Sequence, residues 1–133
     1  NIMKKNLDKI LAEVSAGELI DKISILEIKL KKIKNKEKLV EINKELESLN
    51  QTFNNNLQSS EELNLLVTQL KDINLKLWDI EDGKREAEKN NLFDENFINL
   101  ARNVYKFNDE RAKIKYQINV LLGSNIKEVK SYD

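Results

Sequence analysis

The chain has no cysteine, no histidine and no proline, and only 3 glycines in 133 residues. Without cysteine there is no disulfide, no thiolate nucleophile and no cysteine-built zinc site. Without histidine there is no imidazole for acid–base work or for metal ligation. A metal, where one binds, has to be a hard cation such as Mg²⁺ or Mn²⁺ held by carboxylates, and nothing in the composition demands a cofactor. Neither charge sign is in excess, with 23 basic and 23 acidic residues. No net field therefore draws in nucleic acid or an anionic membrane. No run is long and apolar enough to span a bilayer, and no signal-peptide pattern opens the chain, so a cytoplasmic address is expected.

What is present is the composition of long helices, and the length suits one domain over 1–133. Asn1 to Val14 carries Ile2, Leu7, Ile10, Leu11 and Val14 at helical spacing, which predicts a short leading helix. Ser15-x-x-Glu18 is a helix-start signal. Leu19, Ile23, Leu26, Leu30 and Ile33 follow at steps of four and three, the seam of a helix that packs along another. After Lys34–Lys38 the apolar seam resumes out of phase at Leu39, Ile42, Leu46 and Leu49. Either the helix carries a stutter or it breaks near Asn35; one continuous helix over 15–50 is the expectation taken here. Gln51 to Ser60 reads as a loop. Ser59-x-x-Glu62 opens a second helix over 60–89 with the seam Leu63, Leu66, Leu70, Ile73, Leu77 and Ile80. Asp94 caps a third helix over 94–122, with Phe93 and Ile98 at the spacing of a hydrophobic staple and Gly123 as its stop. Residues 124–133 form a tail.

These elements predict an all-α fold: a long antiparallel three-helix, coiled-coil-like bundle with an N-terminal segment and a C-terminal tail. At ~1.5 Å per residue, thirty residues make a rod of about 45 Å with a narrow core. A homodimer is expected to cover Trp78, Phe107 and the Leu39–Leu49 seam.

The third helix holds one anomaly. Arg111 stands on the seam of Leu100, Val104, Phe107, Ile114, Ile118 and Leu121, where an aliphatic residue belongs. A guanidinium placed there needs acceptors from the other helices. Counting inward from the ends near Ser15, Lys89 and Asp94 gathers Glu18, Asp21, Glu81 and Asp82 at one end of the bundle. Facing them are Arg85, Arg102 and Arg111, with Lys22, Trp78, Tyr105, Asn108 and Lys115 nearby. The plainer reading of this patch is a salt-bridge network that fixes register. The functional reading is a pocket in which arginines hold phosphate or carboxylate and Glu18, Asp21, Glu81 and Asp82 hold Mg²⁺ or Mn²⁺. Glu18-x-x-Asp21 fits half of the metal site of helical nucleotide pyrophosphohydrolases, but the adjacent pair Glu81-Asp82 does not supply the other half. Arg111 echoes the arginine sites of helical chorismate mutases without their spacing on the first helix. The basic run from Lys29 to Lys38 is diluted by glutamates and has no interleaved aromatic, so nucleic acid is not an expected partner.

Four stretches, VSAGELIDKISILEIKLKKI, LWDIED, FDENFINLARNVYKFNDERAKIKYQIN and LLGSNIKEVKSYD, resemble a family of short bacterial helical proteins of unknown function. Its members read VSxGELIDKITILEIK, LWDIEDxIRxxE, FDxxFIxLARxVYxxNDxRAxIKxxIN and GSxxxEKSY. The resemblance spans Val14 to Tyr132, with departures at Gly83, Lys84 and Val129. Its pattern falls on Glu18, Asp21, Lys22, Glu27, Lys29, Trp78, Glu81, Asp82, Arg85, Arg102, Tyr105, Asn108, Asp109, Arg111 and Lys115. The resemblance implies a gene neighbourhood of glycosyltransferases and surface-polysaccharide genes. It also implies that the tail ending Lys130-Ser131-Tyr132 docks on the bundle or on a partner. The function expected is therefore a non-enzymatic helical interaction or scaffold module with a protein partner or a second copy. The alternative is a small-molecule, nucleotide or nucleotide-sugar site, with or without Mg²⁺ and catalysis, at the polar end.

Overall fold

A computed structural model describes residues 6–130, and among them the chain is all-helical with four helices. They are α1 (Ala16–Lys32), α2 (Lys36–Asn56), α3 (Glu61–Lys89) and α4 (Glu95–Leu122). The helix expected over 15–50 is thus two helices. Ile33 and Asn35 are extended, and the Asn35 side chain accepts from the Lys38 N–H to start α2. Asparagine caps well because its short amide oxygen reaches the free donors of a first turn. The shift in seam phase at Leu39 marks this reversal and not a stutter. Past Asn35 the chain doubles back, and Leu26, Ile42 and Leu46 form a core between α1 and α2, with Ile23, Leu30, Ile33, Leu39 and Leu49 packed around it.

The α2 helix also outruns its expected end. Phe53 and Leu57 pack against the main core, which draws the helix through the asparagines to Asn56. The side chains of Thr52 and Asn56 bond back to the carbonyls of Ser48 and Thr52, so these loop-favouring residues are accommodated inside a helix. The start of α3 is capped by Ser60, one residue later than expected, which accepts from the Leu63 N–H at 3.1 Å. Asp94 caps α4, and Gly123 closes it at φ 64°, a left-handed conformation that glycine adopts without a Cβ clash. Phe93 meets Phe97 edge to face at 5.3 Å.

The main core joins Ile20 of α1, Leu63, Leu70 and Ile73 of α3, and Ile114 and Ile118 of α4. Because α1 lies against all three other helices, it buries more than the single expected stripe, adding Ile20, Asp21, Ser24 and Ile28. Phe107 and the Leu39–Leu49 seam are covered within the chain, so they do not call for a second copy. The described part of the leading segment, 6–14, forms no helix. Leu7, Ile10, Leu11 and Val14 there are exposed. The expected helix also includes Ile2, which lies outside the described residues, as do Ser131 and Tyr132. No helix among the described residues is long and apolar enough to cross a membrane.

The break at Asn35 decides which ends meet. One continuous helix would carry the chain to the far end before α3 begins, leaving Ser15 beside the α3–α4 turn. With α2 doubling back, Ser15, the start of α3 and the end of α4 share one end. The α3–α4 hairpin runs outward from there to its turn at Asn91, where φ is 54°.

Candidate functional site

The start of α1 is joined to the end of α4 by backbone donors. The first N–H groups of a helix have no partner inside it. Here Ala16 N–H donates to Ser124 Oγ at 3.1 Å, Gly17 N–H to Asn119 Oδ1 at 2.6 Å, and Glu18 N–H to Ser15 Oγ at 3.0 Å. Gly17 is in the first turn of α1. A Cβ there would stand 2.5 Å from the Lys115 carbonyl oxygen and 3.0 Å from Asn119 Oδ1. Only glycine allows the two backbones this close an approach.

One turn further along, Asp21 is 1% exposed. The Arg111 Nε donates to Asp21 Oδ1 at 3.0 Å and its Nη2 donates to Oδ2, a paired contact that matches the guanidinium edge to the carboxylate. Asn74 of α3 donates to the same Oδ1 at 2.9 Å and to Ser24 Oγ at 3.3 Å. Lys115 Nζ stands 3.7 Å from Asp21 Oδ2 and donates to Glu18 Oε2 at 2.6 Å. Burial alone would push the Asp21 carboxyl up. The hydrogen bonds from Arg111 and Asn74 and the charges of Arg111 and Lys115 outweigh it and hold the carboxyl below the usual range. The bond to Asp21 raises the Arg111 pKa against the opposing effect of its own burial.

The tail closes this cluster from outside. Ser15 Oγ donates to Glu128 Oε1 at 2.7 Å, and Glu128 Oε2 lies 3.8 Å from Lys115. Lys130 pairs with Asp109 at 3.2 Å, and Asn125 donates to Glu13 at 2.6 Å. The described tail residues therefore dock on the bundle.

Of the residues singled out from sequence, Glu18, Asp21, Asn108, Arg111 and Lys115 converge, and Lys22 joins at the rim, 3.7 Å from Glu18. Trp78, Glu81, Asp82, Arg85, Arg102 and Tyr105 stand apart on the outer hairpin. There Glu81 pairs with Lys84 at 3.4 Å on its own helix. Asp82, Arg85, Arg102 and Tyr105 are exposed. At ~1.5 Å per residue, Glu81 is about 10 Å along α3 from Asn74. The expected set Glu18, Asp21, Glu81 and Asp82 is thus not one metal site. Among the described residues no group of three or more carboxylates is placed to hold a metal. Glu18 and Asp21 are committed to Lys115 and Arg111.

Asn74, Asn119, Ser124 and Glu128 belong to the cluster and were missed. Two of them had a legible signal. Asn119 continues the stripe Asn108, Arg111, Lys115 at steps of three and four down one face of α4. Asn74 shares the face of Leu70, Ile73 and Leu77 on α3, a polar side chain on a seam as Arg111 is.

The chain belongs to a family of unknown function, DUF6165, whose profile matches residues 10–133. No curated protein and no solved structure matches it.

Proposed function

We propose that this member of DUF6165 is a helical interaction module whose outer α3–α4 hairpin pairs with the hairpin of a second copy. The observation that carries the reading is the exposed apolar residues there. Leu92, Phe93 and Ile98 at the turn, and Tyr105 about 15 Å further along α4 and two turns from Ile98 on the same face, are each at least half exposed. The charges on this hairpin suit a symmetric pair. Glu81, Asp82, Glu86, Glu88, Asp94 and Glu95 alternate with Lys84, Arg85, Lys89, Arg102 and Lys106. An antiparallel meeting of two such hairpins builds a four-helix bundle without a block of like charge.

The ionic cluster supports a scaffold over a reaction centre. Among the described residues every buried side-chain nitrogen or oxygen has a hydrogen-bond partner, and the buried carboxylate is neutralised in place. A cytoplasmic setting linked to surface-polysaccharide biosynthesis belongs to this proposal on the sequence resemblance alone.

Analytical ultracentrifugation tests the pairing. The wild type sediments as a dimer at micromolar concentration, and the double variant Phe93→Ser, Ile98→Lys sediments as a monomer with unchanged helix content. A wild type that stays monomeric at high micromolar concentration removes the proposal.

A further inference from the structure

Arg111 is fixed on one edge and open on the other. A guanidinium has five N–H groups. Its Nε and Nη2 each give one to Asp21, and Nη1 gives one to Asn108 Oδ1 at 3.4 Å. One N–H on each terminal nitrogen remains. The side chain is 28% exposed, and it lines a groove of about 740 Å³ between α4 and the tail. That volume lies in the range of small-molecule sites, roughly 300–1,000 Å³.

The charged residues that line the groove are mostly basic. Arg111, Lys113, Lys115 and Lys130 face it against one lining carboxylate, Glu128. Lys115 and Lys130 are engaged with Glu18 and Asp109. Lys113 is exposed and has no ion-pair or hydrogen-bond partner among the described residues. Tyr116 and Val129 add an apolar wall.

We propose that this groove binds a small organic phosphate, with the phosphate on the open edge of Arg111 and the organic part against Tyr116 and Val129. The buried carboxylate behind Arg111 holds the guanidinium plane in place before any ligand arrives. Little side-chain freedom is then lost on binding, and the planar fork meets two phosphate oxygens at once. Lys113, two residues along α4 and so on a different side of the helix from Arg111, adds positive charge at the rim of the groove.

The test uses the intact chain, with ADP and inorganic pyrophosphate as probes and succinate at matched ionic strength as the carboxylate control. Calorimetry gives affinities, and ¹⁵N NMR follows the Arg111 Nε–H, which its bond to Asp21 protects from exchange. The expected result is that ADP binds more tightly than pyrophosphate and succinate does not bind. The Arg111 Nε–H resonance moves on binding. Lys113→Ala, at a side chain with no hydrogen-bond or ion-pair partner among the described residues, weakens ADP about threefold, the loss of one exposed positive charge at the rim. Absence of ADP binding overturns the proposal. So does binding that leaves both the Arg111 signal and the Lys113→Ala affinity unchanged, and so does succinate binding as tightly as pyrophosphate.

Discussion

Asp21 and Arg111, 90 residues apart in the chain, meet as a paired carboxylate–guanidinium contact at the crossing of α1 and α4. Asn74 adds a third hydrogen bond to the carboxylate from α3, so one buried side chain ties three helices together. Removing one partner from such a pair leaves the other charge buried and unmatched, which costs about 3–5 kcal/mol. Arg111→Leu is therefore expected to lose roughly that much in urea melts, although leucine completes the apolar stripe. The double variant Asp21→Leu, Arg111→Leu recovers most of the loss, because neither charge is stranded. A neutral Arg111→Leu would show that the pair does not hold the fold.

The same pair sets the acid response. The folded protein keeps the Asp21 carboxyl below its unfolded value, which is about 3.9. A depressed folded pKa adds stability that is present above the unfolded value and is lost as pH falls from about 4 toward the lowered one. Stability measured from pH 6 down to pH 2 falls through that window. Asp21→Asn, less stable at neutral pH, shows a shallower fall. Parallel curves for the two proteins would assign the acid sensitivity to other carboxylates.

Two helical glycines are expected to respond to alanine with opposite signs. At Gly17 the new Cβ would collide with the backbone carbonyl of Lys115, 2.5 Å away. Backbone cannot yield as a side chain does, and overpacking costs about 1–3 kcal/mol. At Gly83 the nearest atom is Leu100 Cδ1 at 3.1 Å, the far end of a flexible side chain on the outer hairpin. There the gain in helix propensity, up to ~1 kcal/mol, decides the outcome. Thermal melts of Gly17→Ala and Gly83→Ala move in opposite directions.

Deletion after Gly123 removes the Ser124 acceptor of the Ala16 N–H and the Glu128 contacts to Ser15 and Lys115. The expected loss is about 1–3 kcal/mol, with the start of α1 losing protection first in hydrogen exchange. Glu128→Gln keeps an oxygen for Ser15 and loses only the exposed charge pairing, so its effect stays within about 1 kcal/mol. A truncated chain as stable as the intact one would mean that the tail only lies on the surface.

Asp94, Gly123 and the helix-start signal at Ser15 were read correctly because a cap is a local event. Its donors and acceptor lie within one turn of sequence, and the αL requirement at Gly123 follows from one residue's missing Cβ. Arg111 was legible as an anomaly because seam periodicity is also local. Its partner could not be singled out: Asp21 is one of four carboxylates that the counting gathers against three arginines, since the counting starts from the wrong pair of ends. That error traces to Asn35. The polar run around it and the phase shift at Leu39 were visible, yet a stutter and a reversal give the same pattern over so few residues. Whether Leu39 continues along the first helix's line or folds back onto Leu30 depends on burial that no local window contains.

The amino-acid sequence by itself determined that this chain is helical, where its principal caps stand, and that α4 carries a guanidinium in need of an acceptor. These follow from spacing, hydrogen-bonding chemistry and the cost of an unpaired charge. The tertiary structure alone decided which ends of the helices meet. One reversal at Asn35 changes the parity of the topology, brings Ser15 to Asn119 and Glu128, and leaves Glu81, Asp82 and Tyr105 on the opposite part of the α3–α4 hairpin. Contact between distant residues is set by the number of chain reversals between them, and a single capping asparagine was enough to change that number.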